Sequence, residues 1–144
     1  VVSVGSDTEP HRGKNGLSVR ADAAAGDVDP EAPDGLVVAG GWAPDRLRRD
    51  AAVVGLVRRV HERGRPLGII CHGGLVAISA GIVAGRPATG SLGIRDDLVN
   101  AGARWVDEPA FRDGNLVWGR VVADIPAFCR ELVAALREDA RAGG

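Results

Sequence analysis

The sequence has no methionine, only two cysteines, no block of basic residues and no long apolar run, and each gap narrows what the chain can be. A translated polypeptide begins with methionine, so a chain opening on Val1 is expected to be processed or a segment of something longer. Two cysteines, Cys71 and Cys129, do not make a disulfide framework, and reducing cytoplasm is the expected compartment. The opening residues VVSVGSDTEP lack the charged and apolar regions of a secretion signal. Together with His11, His61 and His72 the cysteines show no metal-ligand spacing, so no metal site is expected. A formal net charge of −1 without a basic block argues against nucleic-acid or anionic-membrane partners. No apolar stretch approaches the roughly 20 residues that cross a bilayer.

What is present is 144 residues, 45% of them hydrophobic, which suits one globular domain over residues 1–144. Residues 1–5 and 17–21 read as strands, and residues 22–34, rich in Ala, Asp, Pro and Gly, as a loop. Residues 35–39 (GLVVA) form a short continuous apolar run, the pattern of a strand buried on both faces. Residues 44–64 read as one helix: Pro44 and Asp45 suit its first turn, Val53, Leu56, Val57 and Val60 form one stripe, and Gly64 ends it. A buried strand is expected at 67–70 and a helix of small residues at 73–84. A short helix at 95–101 and strands at 105–107 and 111–120 follow, the last interrupted by an Asp113-Gly114-Asn115 turn. An amphipathic helix over 125–139 closes the chain, with a frayed tail at 140–144. Strands alternating with crossover helices imply a mostly parallel sheet covered on both faces.

Chemistry concentrates where the strand at 67–70 ends in Cys71-His72-Gly73-Gly74 and a helix begins. A strand, a reactive side chain and two glycines before a helix are the mechanical pattern of a nucleophile elbow. Helix dipoles and nearby N–H groups stabilise a thiolate at such positions. His72 is a candidate general base if its side chain turns back, which a sharp turn permits. The competing reading of Cys71 is a buried structural thiol, free cysteine being among the most buried residue types. Cys129, inside an amphipathic helix, reads as structural. Gly40-Gly41 follows the other buried strand, where backbone N–H groups can face a developing oxyanion; turns need glycine in any case.

Residues 36–41 (LVVAGG), Ala43-Pro44-Asp45-Arg46, Ile70-Cys71-His72-Gly73, 94–102 (IRDDLVNAG), Trp105-Val106-Asp107, Asp113-Gly114-Asn115 and 124–132 stand in the order and spacing of the PfpI family, which the chain resembles over almost its whole length. That family belongs to the class I glutamine amidotransferase-like superfamily. The resemblance implies a flavodoxin-like α/β sheet with helices on both faces, a cysteine nucleophile, no cofactor and a cytoplasmic homo-oligomer. It implies Cys71 as nucleophile, His72 as base, Asp45 of a neighbouring subunit as the orienting acid, and an oxyanion hole from the backbone of Gly41 and His72. Family members begin with a strand and a helix that precede Val1 and carry a glutamate beside the nucleophile, so the sheet here is expected to lack its first strand and helix. Gly74 stands where proline is usual in the family, the segment Arg120-Val121-Val122-Ala123-Asp124 has valine where relatives often carry proline, and Ile69 is bulkier than elbows usually prefer.

The function expected is cysteine-dependent attack on carbonyl groups of a small aldehyde, a glycated amine or a peptide, with small aldehydes favoured by a narrow crevice. The alternatives are an oxidative-stress sensor that uses the same reactive Cys71, and a non-catalytic binding module. Asp96-Asp97 reads as helix capping rather than a metal pair. The arginine runs at 46–49 and 58–59 read as solvated faces or subunit contacts, and Trp42 as a residue of the pocket or the interface.

Overall fold

The computed structural model describes residues 1–142. Its elements, in chain order, are β1 (Val4–Gly5), β2 (His11–Arg12), β3 (Ser18–Val19), β4 (Ala23–Ala24), β5 (Leu36–Val38), α1 (Ala43–Leu47), α2 (Ala51–Glu62), β6 (Leu67–Ile70), α3 (Gly74–Ala80), β7 (Pro87–Ala88), α4 (Arg95–Asn100), β8 (Arg104–Trp105), β9 (Ala110–Asp113), β10 (Leu116–Gly119) and α5 (Ile125–Ala142). A strand's period of two then decides the centre. Leu67, Ile69, Leu116 and Trp118 pack on one face with Val57 of α2 and Val76 and Ala77 of α3. Val117 and Ile70 turn to the other face, against Phe128 of α5. Each large side chain buried here stabilises by about 1.5–3 kcal/mol.

The central sheet runs β5-β6-β10-β9, parallel except for β9. Leu36, Leu67 and Leu116 stand in register across it. The fold is thus the expected α/β architecture, a mostly parallel sheet with helices on both faces. The Asp113-Gly114-Asn115 turn joins β9 to β10, with Gly114 at φ 61. The remaining strands form two-residue pairs: β1 with β4, β2 with β3, and β7 with β8.

Several elements differ from their expected bounds. The strands expected at 1–5 and 17–21 shrink to β1 and to the exposed β3, and the loop at 22–34 contains β4. The single helix expected at 44–64 is two. Asp50 leaves the helical region at φ −96, ψ 116, and its carboxylate accepts from Ala52 N at 2.8 Å and Val53 N at 3.4 Å, starting α2 afresh. The Ser6 hydroxyl and the Ala52 N–H hold that carboxyl below its ordinary range. The helix expected over 73–84 stops at Ala80 because Gly81 adopts φ 74. The strand expected at 105–107 is β8, paired with β7, which no local pattern announces.

The expectation that 35–39 is buried on both faces is overturned. β5 is an edge strand with β6 as its neighbour, α5 packs over β6, β10 and β9, and Val37 stays 50% exposed. The helix α5 continues into the expected frayed tail as far as Ala142; residues 143–144 lie outside the described residues.

Candidate functional site

β6 runs extended to Ile70 (φ −130, ψ 145), and the next residue, Cys71, turns to φ 58. Among the described residues Cys71 is the non-glycine with positive φ, a conformation that costs a side-chain-bearing residue about 1–2 kcal/mol. Such strain persists where the surroundings over-determine it. Here glycines close in on three sides. A Cβ at Gly40 would lie 2.7 Å from the Cys71 Cβ and 3.2 Å from its Sγ. One at Gly90 would lie 2.6 Å from the Cys71 carbonyl oxygen, which also accepts from Ser91 N at 3.3 Å. One at Gly73 would lie 2.6 Å from the Val38 carbonyl oxygen, so the turn rests directly on the end of β5. The 3₁₀ turn Cys71–Gly73 then passes into α3.

This turn brings the adjacent side chains together. Cys71 Sγ and His72 Nδ1 are 3.3 Å apart, which suits a thiol donating to the imidazole in its Nε2–H tautomer. Cys71 is half-buried. The indole of Trp42 lies over the imidazole, ring centroids 5.6 Å apart and planes inclined at 41°. At Gly74 an added Cβ would meet Ile94 Cδ1 at 2.8 Å and Trp118 at 3.6 Å. A larger residue here would require the end of the Ile94 side chain to shift.

Beside His72 opens a cavity of 330 Å³, with Gly41, Trp42 and Asp45 on its walls and Leu75 and Ile94 among its lining. Gly41 takes φ 74 at the end of β5, facing the turn that holds Cys71. Asp45 lines the same cavity as His72 but is hydrogen-bonded to Arg49, and no carboxylate bonds the imidazole among the described residues. The chain thus brings Cys71 and His72 into contact and Gly41 and Asp45 to the same cavity, without joining Asp45 to His72. Cys129 is exposed on α5, away from these residues.

Two further lining residues escaped the sequence reading. Arg48 was expected on a solvated face or at a subunit contact; within the chain it is half-buried and reaches into the cavity, its Nε donating to Ser79 Oγ at 3.0 Å. Asp97 was expected to cap a helix; it sits in the first turn of α4 and also lines the cavity. Helix phase is the one signal that bears on Arg48, since a residue three beyond Asp45 shares its helix face, but Arg49, four beyond, shares it too.

The sequence profile of the DJ-1/PfpI family matches residues 1–135. Over 125 residues the chain is 45% identical to Deglycase PH1704 of Pyrococcus horikoshii and 42% identical to Deglycase PfpI of Pyrococcus furiosus, in each case covering 87% of this chain and 75% of the relative. Among solved structures, a two-domain protein from Anabaena variabilis with DJ-1/ThiJ/PfpI-like and ferritin-like domains superposes with a TM-score of 0.89 at 36% identity. That match covers 94% of this chain and 39% of the two-domain protein.

Proposed function

Since this chain belongs to the DJ-1/PfpI family, we propose that it is an enzyme in which the Cys71 thiolate attacks carbonyl carbon, assisted by His72 and by Asp45 of a neighbouring subunit. The observation that carries the reading is the strained turn at Cys71, φ 58, with Sγ 3.3 Å from His72 Nδ1. A backbone conformation that costs stability and aims a thiol at an imidazole has a ready explanation in nucleophilic catalysis.

With a 2-oxoaldehyde, sulfur adds to the aldehyde carbon, an S–C bond forms, and the carbonyl π pair moves to oxygen. The backbone N–H groups of Gly41 and His72 are the proposed donors to that oxyanion. His72 moves the aldehyde hydrogen, as a proton, from the first carbon to the second, leaving a thioester. Water hydrolyses the thioester to the 2-hydroxy acid and frees Cys71. A peptide or a glycated amine would use the same sulfur and the same oxyanion donors. Asp45, bonded to Arg49 within its own chain, reaches an imidazole only if a second copy brings it there, which is the role proposed for a homo-oligomer.

The test is turnover of methylglyoxal to lactate by the wild-type chain, Cys71→Ser and Cys129→Ser. Turnover in the wild type and in Cys129→Ser, lost in Cys71→Ser, is the expected result. Turnover surviving in Cys71→Ser would refute the nucleophile. No turnover in the wild type would remove the 2-oxoaldehyde reading and leave peptides or reversible thiol oxidation to be tried.

A further inference from the structure

A guanidinium that is half-buried without a carboxylate is electrostatically unfinished, and the cavity beside His72 contains one. Arg48 forms no ion pair among the described residues, whereas Arg49, its neighbour, is bonded to Asp45. Its Nε is fixed by Ser79 Oγ on α3, which orients the planar fork and leaves the remaining N–H donors for another acceptor. The carboxylates that share the cavity do not complete it. Asp45 is held by Arg49, and Asp97 is an exposed residue of α4 that makes no ion pair with Arg48.

A neutral aldehyde offers this group only an uncharged carbonyl acceptor. A planar carboxylate would gain charge-assisted, two-pronged hydrogen bonds of the kind the arginine fork provides best. A cavity of 330 Å³ suits a small molecule, with Leu75 and Ile94 for its carbon skeleton.

We infer that Arg48 is a specificity-determining residue of this cavity, and that among carbonyl substrates it favours those carrying a carboxylate, which Arg48 binds while the carbonyl faces Cys71. The inference rests on the proposed role of Cys71, but it is tested without turnover. Iodoacetate and iodoacetamide are near-isosteric and differ in charge. In each case thiolate sulfur forms a bond to the methylene carbon as the carbon–iodine bond breaks and iodide leaves. Mass spectrometry of the digested chain reads the rates at Cys71 and Cys129 separately, so the exposed Cys129 serves as the reference within the same molecule.

The iodoacetate-to-iodoacetamide rate ratio at Cys71 is expected to exceed that at Cys129 by about tenfold or more, the scale of a hydrogen bond to a charged group. Arg48→Gln should bring the Cys71 ratio down to the Cys129 value, and Arg48→Lys, which keeps the charge but loses the fork, should retain part of the preference. Equal ratios at the two cysteines in the wild type would overturn the inference. So would a ratio at Cys71 that Arg48→Gln leaves unchanged, since an arginine that only props α1 on α3 would slow both reagents alike. Modification of Cys129 by both reagents with none of Cys71 would instead remove the nucleophile itself.

Discussion

The two ends of strand β6 differ in whether their polar groups are satisfied. At its amino end Asn115 Nδ2 donates to the carbonyls of His61 and Arg65, and Leu67 N donates back to the Asn115 carbonyl at 2.8 Å. Arg65 is paired with Asp139 and Arg86 with Asp113. At its carboxyl end lie a positive-φ cysteine and, among the described residues, an imidazole without a carboxylate and an Arg48 without an ion pair. One sheet thus has an end closed by side-chain hydrogen bonds and ion pairs, with His61 Nδ1 the buried exception, and an open, strained one. The lesson is that the fold concentrates its unmet chemistry at one edge, as parallel α/β sheets do with their ligand crevices.

The largest effect that would sharpen this contrast is at Gly40. Its Cβ would sit 2.7 Å from that of Cys71, so Gly40→Ala must displace the thiol or its strand. Misplacement of a reacting group by about 1 Å costs on the order of a hundredfold in rate, and methylglyoxal turnover should fall by about that much. In α2, Gly55 has open space around an added Cβ, and Gly55→Ala should stabilise by about 0.5–1 kcal/mol with turnover unchanged. A Gly40→Ala chain as active as the wild type would break the comparison.

The closed end should respond in stability instead. Asn115→Ala leaves two partly buried carbonyls without their side-chain donor and should cost about 1–3 kcal/mol in urea unfolding. Turnover below the unfolding transition should be unaffected. A loss of activity without a loss of stability would show that the two ends are not separable.

How much of this was legible follows from which signals are local. The strand at 67–70, the Cys71 turn, the Asp113-Gly114-Asn115 hairpin and the helix α5 are all written within a few residues, and all are present, although Val133, which the pattern puts on the buried side of α5 with Phe128, Leu132 and Leu136, is 44% exposed. The break before α2 was written too, in Asp50, but Pro44 and Asp45 already supplied a helix start and Val53, Leu56, Val57 and Val60 a stripe, so the cap between them was passed over. Exposure of Val37 was not legible, because it depends on which neighbour lies beside β5, and no residue near it encodes that. Arg48 was hidden by composition: in a run of three arginines, Arg46, Arg48 and Arg49, the one that turns inward is fixed by helix phase and by Ser79, thirty-one positions away.

A smaller effect compares the two cysteines. At φ 58 a glycine relieves what an alanine retains, so Cys71→Gly should be more stable than Cys71→Ala by about 1 kcal/mol. In the interior of α5 the order should reverse, with Cys129→Gly less stable than Cys129→Ala by about 1 kcal/mol. The same order at both positions, by urea unfolding, would mean that the Cys71 backbone stores no strain.

The smallest effect belongs to His61 at the closed end. Burial first, then the nearby Arg86 guanidinium, hold this imidazole below its ordinary value of 6.5, against the opposing pull of Asn115, Glu62 and Asp113. Its Nδ1 is buried without a partner among the described residues, so charging the ring brings it no compensating acceptor. Between the ordinary and the lowered value the unfolded chain binds a proton that the folded chain does not. Stability contributed by neutral His61 is therefore present above pH 6.5 and is lost as pH falls through the folded value. His61→Gln removes that titration. The unfolding free energy of the wild type should decline relative to His61→Gln as pH is lowered from 7.5 to 5.5, the gap between the two narrowing or changing sign. Parallel pH profiles would mean that the imidazole is as easily charged in the fold as out of it, and that this end of β6 is less closed than its hydrogen bonds imply.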